Sequence, residues 1–285
     1  MTEYASKENL LKWKENDFQI PEELNRYELA LELLNNFNST DPVLRDELSL
    51  SFLWTIVEDG MLSQTEIKQL LKLTLSEEYL FNNLGAIKDD SVFNRAFTIL
   101  VIGVIIGYHA DMREEEGKEI LSKEEVMYAF CKVMDYLKKE KDVRGYVNEK
   151  GWAHSAAHTA DAIGSLAYCK ELNRDDMINL LAGIREKYTV DYYAYVNEEA
   201  ERIVSAIINI MNREDMNDED IIEWIRGFSE IKQPENYPQY HNYRENAKNL
   251  LRSLYFRCKF KGVNTIVLSE IEDVLNKINE RFNNY

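Results

Sequence analysis

Four stretches of the chain repeat one pattern of apolar and polar positions: an apolar helical run, a short break, then a new helix start. The starts read Leu62-Ser63-Gln64-Thr65-Glu66-Ile67, Leu121-Ser122-Lys123-Glu124-Glu125-Val126, Leu172-Asn173-Arg174-Asp175-Asp176-Met177 and Met216-Asn217-Asp218-Glu219-Asp220-Ile221. In each, an apolar residue precedes a Ser or Asn, an acid follows three positions later, and an apolar residue follows the acid. The first two are capping boxes, in which cap and acid satisfy each other's neighbouring N–H groups. The next two use Asn and Asp in those roles, and a degenerate fifth lies near Thr265.

The first helices of the pairs are predicted near 42–58, 91–109, 151–168, 195–212 and 239–258, and the second near 63–74, 122–140, 173–187, 217–228 and 266–282. A short helix is expected over 3–16, and Pro21 opens another that runs to about Asn38. Starts separated by roughly 44–59 residues, each preceded by a helix, match two-helix repeats of the HEAT-like kind. Such pairs stack because none can bury its apolar face alone. No run alternates strictly around a turn dipeptide. The expected fold is all-α, a HEAT-like α-solenoid of about five helical hairpins with essentially no sheet. It is expected as one domain over 1–285, with 1–20 a loosely attached leading helix.

Against this scaffold the segment Asp142 to Cys169, DVRGYVNEKGWAHSAAHTADAIGSLAYC, stands apart. A helix started near Gly151 places His154, His158, Asp161 and Ser165 on one face, with Trp152, Ala156, Ile163 and Leu166 opposite. Asp161 is its only side chain charged at neutral pH, so both faces are expected to be covered. A buried polar stripe must find partners, since an unpaired buried polar group costs roughly 1–3 kcal/mol. Three readings compete. His154, His158 and Asp161 could ligate a divalent ion such as zinc, iron or manganese. They could form a metal-free pocket with His as the switchable group. They could also be a structural network that fixes helix register. Ser155 stands where a zincin would carry its catalytic Glu.

The preceding loop gathers Asp142, Arg144, Gly145, Tyr146, Asn148, Lys150 and Gly151. Arg144 and Lys150 near a helix N-terminus suit an anion such as phosphate or carboxylate; alternatively Arg144 pairs with Asp142 and braces the turn. The ligand-binding candidates are Arg144, Tyr146, Lys150 and Ser165. Asp41 with Arg45, and Ser91 with Arg95, recur at equivalent places. They read either as a ladder between repeats or as arginines turned toward the same pocket. His109 and Asp111 fall at the level of His154 and His158 if the stacking register allows. Tyr188, Tyr192, Tyr193 and Tyr195 either line a binding surface or fill gaps between repeats.

The motif RGYV…KGWAH…AH..AD, with DPVLRDE (Asp41–Glu47) and DSVFNRAF (Asp90–Phe97), resembles a bacterial domain-of-unknown-function family found mainly in Gram-positive organisms. The resemblance covers about residue 20 to 285. It implies a soluble all-helical protein and singles out Arg144, Gly145, Trp152, His154, His158 and Asp161. It implies no activity.

Composition narrows the function classes. The net charge is −17, which argues against nucleic acid and anionic membranes unless a local basic patch exists, and the chain is expected to carry no Lys/Arg cluster with interleaved aromatics. Cys131, Cys169 and Cys258 are sparse and far apart, as expected of reduced thiols in the cytoplasm. The N-terminus lacks a signal-peptide pattern. The uncharged run Ala96–Tyr108 is too short for a comfortable span, which takes about 20 residues, and reads as a core helix. Two functions follow. One is a binding or scaffold protein with a central polar pocket on 142–165, holding a peptide, a protein or a small anionic ligand. The other is a metal-assisted or His-dependent hydrolase centred on His154, His158 and Asp161.

Overall fold

The capping boxes form where the sequence places them. Ser63, Ser122 and Asn173 each accept the N–H three residues on, and Glu66, Glu125 and Asp176 return the contact to the cap's own N–H. Asn217 and Asp220 exchange the same pair of bonds at 3.2 and 3.1 Å. Asn264 caps the last long helix through the Ile266 N–H. Local signals of this kind fix helix starts without help from distant residues.

The computed structural model describes residues 4–230 and 236–283, so part of the aromatic stretch Gln233–Tyr243 lies outside the described residues. The chain divides into two compact units, Met1–Glu171 and Leu172–Tyr285. In the first unit α1 spans Lys7–Glu15, α2 Arg26–Asn35, α3 Ser51–Glu58, α4 Gln64–Thr74, α5 Ser91–Glu116, α6 Lys123–Lys139 and α7 Ser155–Leu166. The second contains α8 Arg174–Lys187, α9 Glu199–Met211, α10 Asp218–Glu230, α11 Gln239–Lys261, α12 Thr265–Ile278 and the short α13 Glu280–Asn283. The protein is all-α apart from one small hairpin, β1 Tyr146–Val147 and β2 Gly151–Trp152.

In the first unit the core is built around α5. Residues from Val92 through Ile106 are almost all buried, and the apolar window is 83% covered by the fold, as in a core helix. Against it lies α7, and Gly103 makes the approach possible. A Cβ on Gly103 would fall 2.9 Å from the Ala162 Cα, so the two backbones touch. Successive contacts run Ala96–His158, Gly103–Ala162 and Gly107–Ser165, so the helices lie parallel. The leading helix α1 is fastened by Leu10, fully buried, by the bond from the Ala5 N–H to Glu32 and by the Lys14–Glu47 ion pair.

Three differences from the sequence expectation bear on function. Residues 43–50 are wound as a π-helix that runs directly into α3. α2 begins at Arg26, capped by Asn25, rather than at Pro21. The central helix begins at Ser155 rather than Gly151, because Gly151 and Trp152 pair with Val147 and Tyr146 in the hairpin. In the second unit Tyr188 and Tyr195 pack inside the fold, Tyr193 is half-buried and Tyr192 is exposed. Asn246 of α11 donates to the carbonyls of Val190 and Tyr193 and accepts the Tyr195 N–H, and Tyr188 and Tyr195 are buried.

Candidate functional site

The hairpin 146–152 is too small to hold itself together; an isolated two-stranded hairpin is marginal in water. Its anchor comes from the π-helix. Arg45 is fully buried and donates to the carbonyls of Ser39 and Lys150 at 2.8 Å each, and to that of Trp152 at 3.4 Å. Its guanidinium lies over the rings of Phe93 and Phe97, 4.1 and 4.9 Å from their centroids. Gly151 lets the hairpin close on this anchor. Its φ is +79°, and a Cβ there would meet Pro42 at 2.6 Å. On the other side Val147 packs on a buried cluster of Val92, Phe93 and Ala153.

Asp46, next on the π-helix, pairs with Arg45 Nε at 2.7 Å. Burial pushes its carboxyl up to about 6, and Glu47 adds to the rise; Arg45 and the Trp152 N–H pull it back only in part. A carboxyl poised there can exchange a proton near neutral pH.

The loop before the hairpin is braced by a chain of buried acids. Arg95, fully buried, grips Glu140 through two bonds of 2.6 and 3.0 Å. Glu140 accepts the Asp142 N–H at 2.9 Å. Asp142 accepts the Lys88 N–H and two bonds from Arg144, at 2.8 and 2.7 Å. Its carbonyl takes the Ser155 hydroxyl at 2.6 Å, which ties the start of α7 to the loop. Lys150 reaches both oxygens of Asp90 at 2.8 and 2.7 Å. The two loop cations singled out for an anion are thus each held by an acid.

The structure separates the His stripe into a surface part and a buried part. His154 is the residue before α7, in a left-handed conformation with φ +51°. Its ring stacks on Trp152, centroids 4.4 Å apart and 17° from parallel. Trp152 in turn meets Tyr146 edge-on at 5.0 Å, and both of these rings reach solvent, Tyr146 54% exposed and Trp152 39%. Behind them His158 is buried, with Nδ1 2.9 Å from the Ala96 carbonyl and its ring against Phe97. His154 and His158 face each other at 5.9 Å between centroids. Asp161 and Ser165 are half-buried further along α7, Ser165 beside Gly107. Tyr146, Trp152, His154, His158 and Phe97 therefore form a continuous file of rings from solvent to core.

Among the described residues no group of three or more His, Cys, Asp or Glu is placed to hold a metal ion. His109, which the sequence brought to the level of His154 and His158, meets Glu171 instead, 3.2 Å from Nε2, while Nδ1 accepts the Leu121 N–H. Asp46 is not among the site residues that the sequence points to, although it lies in the DPVLRDE stretch beside Arg45, which the sequence offers only as a rung between repeats or an arginine turned toward the pocket. The available signal was an Arg-Asp pair within the run Val43–Leu50, where an amphipathic helix entering a core should carry few charges.

A family model described as a protein of unknown function (DUF2785) matches residues 80–256, a span that includes α5, the hairpin and α7. No curated protein and no solved structure matches the chain.

Proposed function

The chain belongs to the DUF2785 family of proteins of unknown function, and we propose that it is a binding protein that holds a peptide or protein segment on the rings of Tyr146 and Trp152. The observation that carries this reading is exposure combined with rigidity. Both rings reach solvent, yet their strands are pinned from beneath by a fully buried arginine. Rigid Tyr and Trp offer large contact area at little entropic cost, and these residue types dominate binding hot spots. The π-helix carries Asp46 and Glu47, which pair with Arg45 and Lys14, and Glu149 at the hairpin turn favours a segment bearing Lys or Arg over the rings. A small anionic ligand has less support, because it would compete with Asp142 for Arg144 and with Asp90 for Lys150.

The helical pairs are read as HEAT-like repeats, supported by the recurrent capping boxes and by the parallel contact of α5 with α7. Such repeats serve binding far more often than chemistry. One observation favours a second reading, a His-dependent hydrolase. Asp46 carries a carboxyl pushed up to about 6 and accepts the Trp152 N–H beneath the ring on which His154 stacks. In that reading Asp46, rather than Asp161, exchanges the proton.

Selection of a random peptide library on the immobilised protein tests the binding reading, with Tyr146→Ser/Trp152→Ser as comparator. Enriched peptides should bind the wild type and lose at least about tenfold on the variant, as for a hot-spot pair. Equal affinity for both proteins would remove this surface from the account. Ester or amide hydrolysis that disappears in Asp46→Asn would instead favour the enzyme.

A further inference from the structure

The tip formed by the end of α11 and the start of α12 is unlike the rest of this acidic chain. Between Glu245 and Glu270 there is no acid, while Lys248, Arg252, Arg257, Lys259 and Lys261 all fall there. The net charge of −17 that argues against anionic membranes does not describe this segment. Nor is it a bare charge run: RSLYFRCKFK, residues 252–261, interleaves its cations with three aromatics.

Helix geometry sorts these residues. Leu250, Leu251, Leu254 and Cys258 are buried on one side of α11. Arg252, Phe256, Lys259 and Phe260 recur at i, i+4, i+7 and i+8, on the other. Phe256 is 52% exposed, Phe260 82%, and Ile266 in the first turn of α12 60%. The two Phe rings stand 6.2 Å apart. Among the described residues the acids that reach this end are engaged: Asp218 accepts from the Asn264 side chain, and Glu245 lies near Arg252 and pairs with Lys248. Glu272 accepts the Tyr255 hydroxyl, and Glu201 lies 4.0 Å from Arg257.

We propose that this tip docks on the surface of an anionic lipid bilayer. Phe256, Phe260 and Ile266 enter the interface, and Arg252, Lys259 and Lys261 meet the lipid headgroups. The proposal is independent of the peptide surface, which lies in the other unit. From Lys259 to Ile266 every residue but the half-buried Val263 is exposed, so the apolar groups project from an end rather than line a groove. A stable protein interface needs about 800 Å² on each partner, which three projecting side chains do not supply. A bilayer needs only apolar groups that reach its acyl boundary and cations that stay among the headgroups. The acids elsewhere on the chain are screened beyond about 8 Å at physiological salt.

Co-sedimentation of the full chain with phosphatidylcholine vesicles, with and without roughly one-third phosphatidylserine, tests the proposal. Binding is expected to the anionic vesicles alone and to fall as salt is raised. Lys259→Glu/Lys261→Glu should weaken it by about fivefold or more for each cation. Phe256→Ser/Phe260→Ser should weaken it at least about tenfold. Melting temperatures should stay unchanged, because the substituted side chains are exposed. No sedimentation with anionic vesicles at low salt overturns the proposal, as does equal sedimentation of either variant. Binding to polyglutamate but not to vesicles also overturns it and assigns the tip to an acidic protein partner.

Discussion

Arg45 donates to the carbonyl of Lys150 at 2.8 Å, joining two points 105 residues apart in the chain. The bond runs from a π-helix to a two-stranded hairpin, and it decides the shape of the candidate surface. Arg45→Met should therefore loosen the hairpin and cost about 3 kcal/mol of unfolding free energy, because it leaves half-buried Asp46 without its cation and the Ser39 and Lys150 carbonyls without their donor. Urea unfolding measures the loss, and amide exchange at 146–152 measures the loosening. A variant as stable as wild type with an equally protected hairpin would show that Arg45 is not the anchor.

Gly151 makes the same contact from the other side. Gly151→Ala has to hold φ near +79° with a side chain and push Pro42 from 2.6 Å. The expected cost is about 1–3 kcal/mol, with a matching fall in melting temperature. Unchanged stability would mean that the hairpin rides further from the π-helix.

Half-buried Asp46 and buried His109 give the stability opposite pH slopes. Burial raises the Asp46 carboxyl from its ordinary 3.8 to about 6 in the folded state, so between those values the folded protein binds the extra proton. Its contribution is fully present below 3.8 and is lost as pH rises through 6. Burial, aided by Arg113, holds His109 below its ordinary 6.5, so the unfolded chain binds the extra proton and stability is lost as pH falls through 6.5. Asp46→Asn should thus make the slope of unfolding free energy between pH 4 and 6 more positive than wild type. His109→Gln should make the slope just below 6.5 more negative. Urea titrations at several pH values check both signs, and a slope unmoved by either change would contradict the burial of these two side chains.

His158 is buried behind the exposed rings of Tyr146 and Trp152. Its Nδ1 lies 2.9 Å from the Ala96 carbonyl, and its ring fills the space against Phe97. His158→Ala should cost on the order of 1–3 kcal/mol, and His158→Asn should recover part of that. A variant that melts at or above the wild-type temperature would mark His158 as a strained functional group instead.

The legible parts of this protein are those fixed by neighbours in sequence. Ser63, Ser122 and Asn173 cap their helices with acids three residues away, so helix starts could be read from a few residues. The polar stripe on α7 was readable in the same way, from the spacing of His158, Asp161 and Ser165. The start of α7 was not. Trp152 and His154 fit a helical period, yet they belong to a hairpin and a left-handed turn held by Arg45 from far away in the chain. The Arg144–Asp142 brace was legible too, because the two residues are near neighbours in sequence and their pairing was one of the two readings of the loop. The basic tip at 252–261 was visible in the residues and hidden by averaging, because a chain-wide charge of −17 says nothing about one stretch without acids.

The measurement that tests the central claim most directly is the Kd of the tightest library-selected peptide for wild type, Tyr146→Ser/Trp152→Ser and His158→Asn, taken side by side. The account predicts at least about tenfold weaker binding to the Tyr146/Trp152 variant and little change for His158→Asn. Equal affinity for the Tyr146/Trp152 variant, with loss confined to His158→Asn, would contradict it and move the binding surface to the buried face of α7.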